Sequence, residues 1–301
     1  MEGARMSSTP ELEPWQGVLD ELLIGPGTPY DVAAIEGLES FDGVRDNDDP
    51  LPVGDGIFIG DDYLSGRKIT LELEVMATDQ VAYPDALAAL RWATRPKRDV
   101  PFWFRLPTWE EPRRCTVRVR RRSIPNDSRY EMGLAEAAVQ LVAPDPVLYG
   151  PNPAQLATTF ATATGGLQYP LYTDGAGTDL GYLDYGEAPA TGRLVVTNTG
   201  DAPIWPVYEV DGPVPAQGFQ IARTDTGARV QFEAPVPEGS TVRLDSGDGS
   251  AVIDGHADRG GALTWRDWWP IGPGESVELA FIRLGPPSTA LLRVTAPPGW
   301  W

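Results

Sequence analysis

The chain has 301 residues, of which 42% are hydrophobic and 22% charged, enough apolar material for roughly two domain cores and too much for wholesale disorder. Its formal net charge is −19, divided as −10 over the first 150 residues (16 basic, 26 acidic) and −9 over the rest (8 basic, 17 acidic), a field that repels nucleic acid and anionic lipid. No apolar run approaches the roughly 18 residues of a membrane span, "MEGARMSSTPELEP" lacks the pattern of a secretion signal, and Cys115 is the single cysteine, so the expectation is a soluble protein from a reducing cytoplasm, without an intrachain disulfide or a cysteine-based metal cage.

In chain order, "GVLDELLIGPGTPYDVAAIEGL" (17–38) offers two strands around Gly25-Pro26-Gly27, where permissive glycines and a fixed proline φ predict a hairpin. Asp42 to Asp62 holds seven aspartates among glycines and prolines, and reads as an excursion too polar to pack. In "DDYLSGRKITLELEV" (61–75), Ile69, Leu71, Leu73 and Val75 alternate with polar residues, the period of a strand with one buried face. "YPDALAALRWATRP" (83–96) predicts a helix, with Pro84 in its first turn, Leu87 and Leu90 on one face and Pro96 beyond its end. "VPFWFRLP" (100–107) and "CTVRVRRR" (115–122) read as strands. "MGLAEAAVQLVAPDP" (132–146) is undecided between a helix favoured by propensity and a strand favoured by the period-two row Ala135, Ala137, Val139, Leu141.

Residues 151–166, "PNPAQLATTFATATGG", are nearly uncharged and read as a linker. Beyond it recur "RLVVTN", "WPVYEV", "GFQIART", "ARVQFEA", "STVRLD", "SAVIDG", "SVELAFI" and "ALLRVTA", joined by tight-turn links such as "DTG" and "SGDG". Eight short strands at this spacing predict a jelly-roll type β-sandwich. The fold class expected for the whole chain is mainly β.

The residues that could carry chemistry point away from it. His256, the only histidine, lies in "IDGHADRG" without further metal ligands or a recognisable pocket, and reads as a turn residue. "DSGDGS" (245–250) lacks the spaced donors and closing Glu of a calcium loop and reads as a hairpin turn. Cys115 has no activating histidine near it in sequence and reads as a buried thiol. Neither a phosphate-cradling loop nor a nucleophile elbow is visible. The expectation is therefore no catalytic residue, no metal and no cofactor. Trp265, Trp268 and Trp269 cluster beside a Pro-Gly turn. They are candidates for a glycan platform, although core or interface packing is the commoner use of such aromatics.

In their order, Ile35-Glu36-Gly37-Leu38, Arg45, Gly54-Asp55-Gly56, the Tyr63 to Arg67 stretch, "APDPVLYG" (143–150), "NTGDAPIWPVYEVDG" (198–212), the Asp245 hairpin, "WWPIGPGES" (268–276) and Trp300-Trp301 resemble the distal tail proteins of siphophages, also called phage tail or minor tail proteins. The resemblance spans nearly the whole chain. It implies a ring-forming, tail-tube-like split-sheet domain with one helix at 1–150, the linker, and an outward galectin-like sandwich at 167–301. It turns 133–142 into a strand, which Asp145-Pro146 would end. It further implies a homohexameric adaptor at the distal end of the virion tail, made in the host cytoplasm, with the tail tube, the tail-tip hub and receptor-binding proteins as partners. DNA would pass through without specific binding, and no membrane is involved. The alternative is a carbohydrate-binding tail protein working through the sandwich, and an enzyme such as a glycan hydrolase is not expected.

Arg113 to Arg122, "RRCTVRVRRR", packs six arginines into ten residues. Alternation puts Arg118 and Arg120 opposite Val117, Val119 and Arg121. Identical copies of charge −19 repel, so a ring needs places where opposite charges meet. Nucleic-acid binding is opposed by the overall charge, and the bland alternative is a solvated face; in the reading favoured over both, Asp42, Asp46, Asp48, Asp49, Asp61 and Asp62 of one subunit pair with Arg113, Arg114, Arg118, Arg120 and Arg122 of its neighbour.

Overall fold

The computed structural model describes residues 9–40, 43–78, 81–152, 156–162 and 190–301. The described residues divide into two compact units: one running up to Pro151 with Gly299–Trp301, the other lying within Asn152–Pro298.

The first unit contains, in chain order, β1 (Gly17–Leu19), β2 (Leu22–Ile24), β3 (Tyr30–Glu36), the short β4 (Val44–Arg45), β5 (Asp49–Pro50), β6 (Ile57–Phe58) and β7 (Tyr63–Leu64), then β8 (Arg67–Met76), β9 (Asp99–Phe104), β10 (Arg113–Ser123), β11 (Leu134–Ala143) and β12 (Leu148–Tyr149). The main sheet runs β2-β1-β9-β10-β11-β8-β3, with β12 against β10. Period-two burial is regular in β8 and β11, which pair over ten residues from Arg67↔Ala143 to Met76↔Leu134. The undecided segment is thus a strand. Its helix propensity yields because each alanine on its inner face closes a ladder and is buried beside Leu71, Leu73 and Val75.

Helix α1 (Tyr83–Ala93) begins with Pro84 in its first turn and buries Ala86, Leu87, Leu90 and Ala93 on the sheet. A second, four-residue helix, α2 (Ser128–Glu131), is capped by Asp127. The hairpin expected around Gly25-Pro26-Gly27 falls elsewhere: β1 and β2 reverse at Asp20-Glu21, where Asp20 takes φ 59. The Gly-Pro-Gly turn instead carries the chain from β2 to β3, which pairs with β8.

The second unit begins within the segment read as a linker, at β13 (Leu156–Thr159); residues 163–166 of that segment lie outside the described residues. It continues with β14 (Arg193–Thr197), β15 (Val207–Asp211), β16 (Phe219–Arg223), β17 (Arg229–Phe232), β18 (Thr241–Asp245), β19 (Ser250–Ile253), β20 (Ala257–Asp258), β21 (Leu263–Arg266), β22 (Ser276–Arg283) and β23 (Leu291–Thr295). Two antiparallel sheets result, β13-β23-β15-β18-β19-β20 and β14-β22-β16-β17-β21. Phe160, which follows β13, stacks on Phe281 of the other sheet at 4.0 Å, so the two inner faces share one core. All eight strands expected from the sequence are present. Last, β24 (Gly299–Trp300) pairs antiparallel with β12, Leu148 opposite Trp300, and so belongs to the first unit.

Candidate functional site

Between β3 and β8 the chain forms an arm. Two ladders of two residues each, β4 with β7 and β5 with β6, zip residues 44–64 into a narrow antiparallel ribbon. Asp48 Oδ1 accepts from the Gly60 amide at 3.0 Å, and a Cβ on Gly60 would lie 2.3 Å from the Asn47 carbonyl, so the strands approach where only glycine fits. Asp46, Asp48, Asp49, Asp61 and Asp62 are exposed; Asp42 lies outside the described residues. The arm is more apolar than the aspartate count suggests, since Val53, Ile57, Phe58 and Ile59 also face solvent, Val53 being 90% and Ile59 80% exposed.

The arm is rooted by Arg67, which is only 2% exposed. Its Nη1 donates to the carbonyls of Gly37, Leu38 and Ser40 at 2.9–3.0 Å, and its Nε to the Pro146 carbonyl at 2.8 Å. The guanidinium therefore fastens both the chain entering the arm and the turn after β11. Burial lowers its pKa without bringing an arginine near neutrality. Gly37, φ +90, approaches the Lys68 carbonyl so closely that a Cβ would sit 1.9 Å away. Sequence reasoning quoted Arg67 only as part of a resemblance; the signal available was an arginine on the buried phase of an alternating strand.

The arginine strand has other business within its own chain. Arg113 lies over the rings of Trp109 (4.3 Å) and Trp300 (4.1 Å), and half-buried Arg114 over Trp103 at 5.5 Å. Arg118 holds Asp99 with two bonds of 2.7 and 2.6 Å, which lowers the Asp99 pKa. A bulge between Val119 and Arg121 breaks the alternation. It places Arg121 opposite the exposed Gln140 and turns Arg122 to the helix side, where it donates to the Arg91 carbonyl and the Thr94 hydroxyl, both at 2.9 Å. The face assigned to Arg121 by alternation is corrected accordingly, because a bulge adds a residue and flips the phase. Arg120 and Arg121 are exposed. Among the described residues, no arm aspartate pairs with Arg114, Arg118, Arg120 or Arg122.

The three neighbouring tryptophans diverge. Trp269 is 7% exposed and packs 6.4 Å from the buried Tyr208. Trp268 lies against Gly249 of the Asp245 hairpin. Trp265 is exposed, but Arg229 covers one face at 3.9 Å and its Nε1 donates to Asp267 at 2.6 Å. Asp245 and Asp248 accept amides of their own turn, and His256 Nδ1 lies 2.7 Å from the Asp254 carbonyl. Cys115 is buried, its thiol pushed up to about 12 by desolvation. These groups serve turns and core.

The family model described as "Siphovirus-type tail component, C-terminal domain" matches residues 199–283. No curated protein matches the chain significantly. Among solved structures, the SPP1 Dit protein, described as a paradigm of the hub adsorption apparatus in phages infecting Gram-positive hosts, shares the fold with a TM-score of 0.61 at 15% identity, over 93% of this chain and 98% of that one. A chain of the phage P2 baseplate in its activated conformation with calcium matches with a TM-score of 0.52 at 11% identity, over 93% and 97%. The resemblance to siphophage distal tail proteins stands: the second unit carries the sequence match, and the fold likeness extends over both units.

Proposed function

We propose that the chain is a structural distal tail protein that assembles as a homohexameric ring at the tip of a siphophage tail, joining the tail tube to the hub and receptor-binding proteins without chemistry of its own. The observation that carries this reading is the fold likeness over 93% of the chain to a hub protein of a phage adsorption apparatus. The side chains agree with it. Asp31, Glu74 and Glu136 stand directly opposite one another across β3, β8 and β11, and although Arg129 pairs with Glu136, the row is a net acidic surface that would not retain passing DNA. The arm, with its exposed acids and apolar residues, is the segment to contact a neighbouring copy. The carbohydrate alternative loses most of its aromatic support, with Trp269 in the core and Trp268 against a hairpin.

Multi-angle light scattering with negative-stain imaging tests the ring. A mass of six subunits and an annular image, alone or with tube and hub proteins, are expected. A protein that stays monomeric with and without those partners would overturn the proposal.

A further inference from the structure

Aspartate followed by glycine is prone to cyclise, because a neighbour without a side chain lets its amide nitrogen swing onto the aspartate Cγ. The chain has six such pairs; Asp42 and Asp174 lie outside the described residues, and three of the remaining four pairs are held shut. The Asp211 carboxylate accepts from the Thr241 hydroxyl at 2.6 Å and from Arg293 at 2.7 Å, while the Gly212 amide donates to the Ser240 carbonyl at 2.9 Å. Asp248 accepts from the Ser250 amide and the Gly249 amide donates to the Asp245 carbonyl, both at 2.9 Å. Asp254 accepts from the Thr241 amide at 2.9 Å, which lowers its pKa and keeps it ionised. Asp55-Gly56, at the tip of the arm, differs. Both residues are exposed, and neither the Asp55 carboxylate nor the Gly56 amide has a hydrogen-bond partner among the described residues. Gly54 and Gly56 flank the aspartate at φ +96 and +125, and the space beside Gly54 is open.

We infer that Asp55 is a site of spontaneous isomerisation to isoaspartate, selected by the fold from among the aspartate–glycine pairs. The Gly56 nitrogen bonds to Cγ of the Asp55 carboxyl in its acid form, and the amide proton and the carboxyl's hydroxyl leave together as water. The cyclic imide so formed then takes up one water. Opening at Cγ restores aspartate. Opening at the main-chain carbonyl carbon breaks that carbon's bond to the Gly56 nitrogen, so the chain now runs through the β-carbon and the α-carboxylate becomes a side group. Nothing is oxidised or reduced, and the composition of the chain is unchanged. The product keeps its negative charge but carries one more methylene in the main chain, inside the turn that the Leu51 amide closes onto the Gly56 carbonyl at 3.2 Å. Beyond that bond the β5–β6 ladder has only the pairs Asp49↔Phe58 and Pro50↔Ile57 to hold its register. The reaction needs no second copy of the chain and is independent of the ring reading.

The test is to age the full-length protein in warm neutral buffer and, in parallel, in urea, then to digest both samples and treat them with an isoaspartyl methyltransferase and labelled S-adenosylmethionine, which mark the α-carboxylate of isoaspartate. In the folded protein the peptide carrying Asp55 should take up at least tenfold more label than the peptides carrying Asp211 or Asp248 and Asp254. In urea, where the hydrogen bonds that shut the other pairs are gone, that difference should largely disappear. Asp55→Glu keeps the charge but cyclises far more slowly, through a larger ring; it should remove the label from its own peptide, with Tm and the other peptides unchanged. Equal labelling of these peptides in the folded protein, an unlabelled Asp55 peptide, or label that survives Asp55→Glu would each overturn the inference.

Discussion

Arg67 shows how much one side chain can organise. Its four carbonyl contacts come from two segments distant in sequence, Gly37–Ser40 and Pro146, the Leu38 contact being buried and the other three part-buried. Arg67→Met would keep much of the volume and strip the donors. Since each buried polar group left unpaired costs about 1–3 kcal/mol, a loss of about 3 kcal/mol or more is expected in urea unfolding, with Arg67→Lys recovering little because a point-like ammonium cannot span the same fan of carbonyls. A loss below about 1 kcal/mol would show that the carbonyls find water instead. In the second unit, Arg223 holds Asp225 through bonds of 2.7 and 2.8 Å and also binds Glu275. The Asp225 carboxyl is lowered to about 2 from 3.8, chiefly by its bond to Arg223. The Glu275 carboxyl is lowered first by the Gly272 amide and next by Arg223. A depressed carboxyl pKa contributes stability that is present above its unfolded value and fades as pH falls through its folded one. The second unit should therefore lose stability between about pH 4 and 2, and Arg223→Gln should flatten that slope in thermal melts while lowering Tm at neutral pH. An unchanged slope would exclude this triad as its source.

At the scale of elements, legibility followed the length of the pattern. Ten alternating residues in β8 and eight short strands in the second unit declare themselves, because burial of one face imposes period two on the sequence. The arm's two-residue ladders are too short to leave a period, so a ribbon that pairs looked like a polar loop. The bulge at Arg120 leaves no mark in composition, yet it decides which way Arg121 and Arg122 point. Arg118 and Arg122 have partners within the chain, Asp99 and the end of α1, which composition does not reveal. Arg122 offers a direct check. Its bonds to the Arg91 carbonyl and the Thr94 hydroxyl tie β10 to the last turn of α1, where a cation also suits the helix dipole. Arg122→Ala should cost about 1 kcal/mol and raise amide exchange specifically at residues 90–95. Uniform exchange behaviour along α1 would mean that the helix end is held by packing alone.

For the whole molecule, the topology is an insertion. The second unit, Asn152–Pro298, leaves the first through β12 and returns to it through β24, and those two strands pair with each other. Trp300, on the returning strand, closes over Arg113. Two residues of strand with a single aromatic anchor are invisible to periodicity, which is why the sequence suggested that the second domain simply ran on to residue 301. A boundary before residue 167 also omits β13, which pairs with β23 from Leu156↔Val294 to Thr159↔Leu291, and Phe160, buried against Phe281. A fragment of residues 152–298 is therefore expected to unfold as one cooperative transition. A fragment of 167–301 should be less stable by at least about 3 kcal/mol, the usual cost of emptying a buried phenylalanine site, and should carry an idle C-terminal strand. Removing residues 299–301 from the full chain is the complementary experiment. It should lower the melting transition of the first unit, by leaving β12 paired with β10 alone, and leave that of the second where it was. Equal stability of the two fragments, or a shift of the second transition on truncation, would contradict the insertion as an energetic division of the chain.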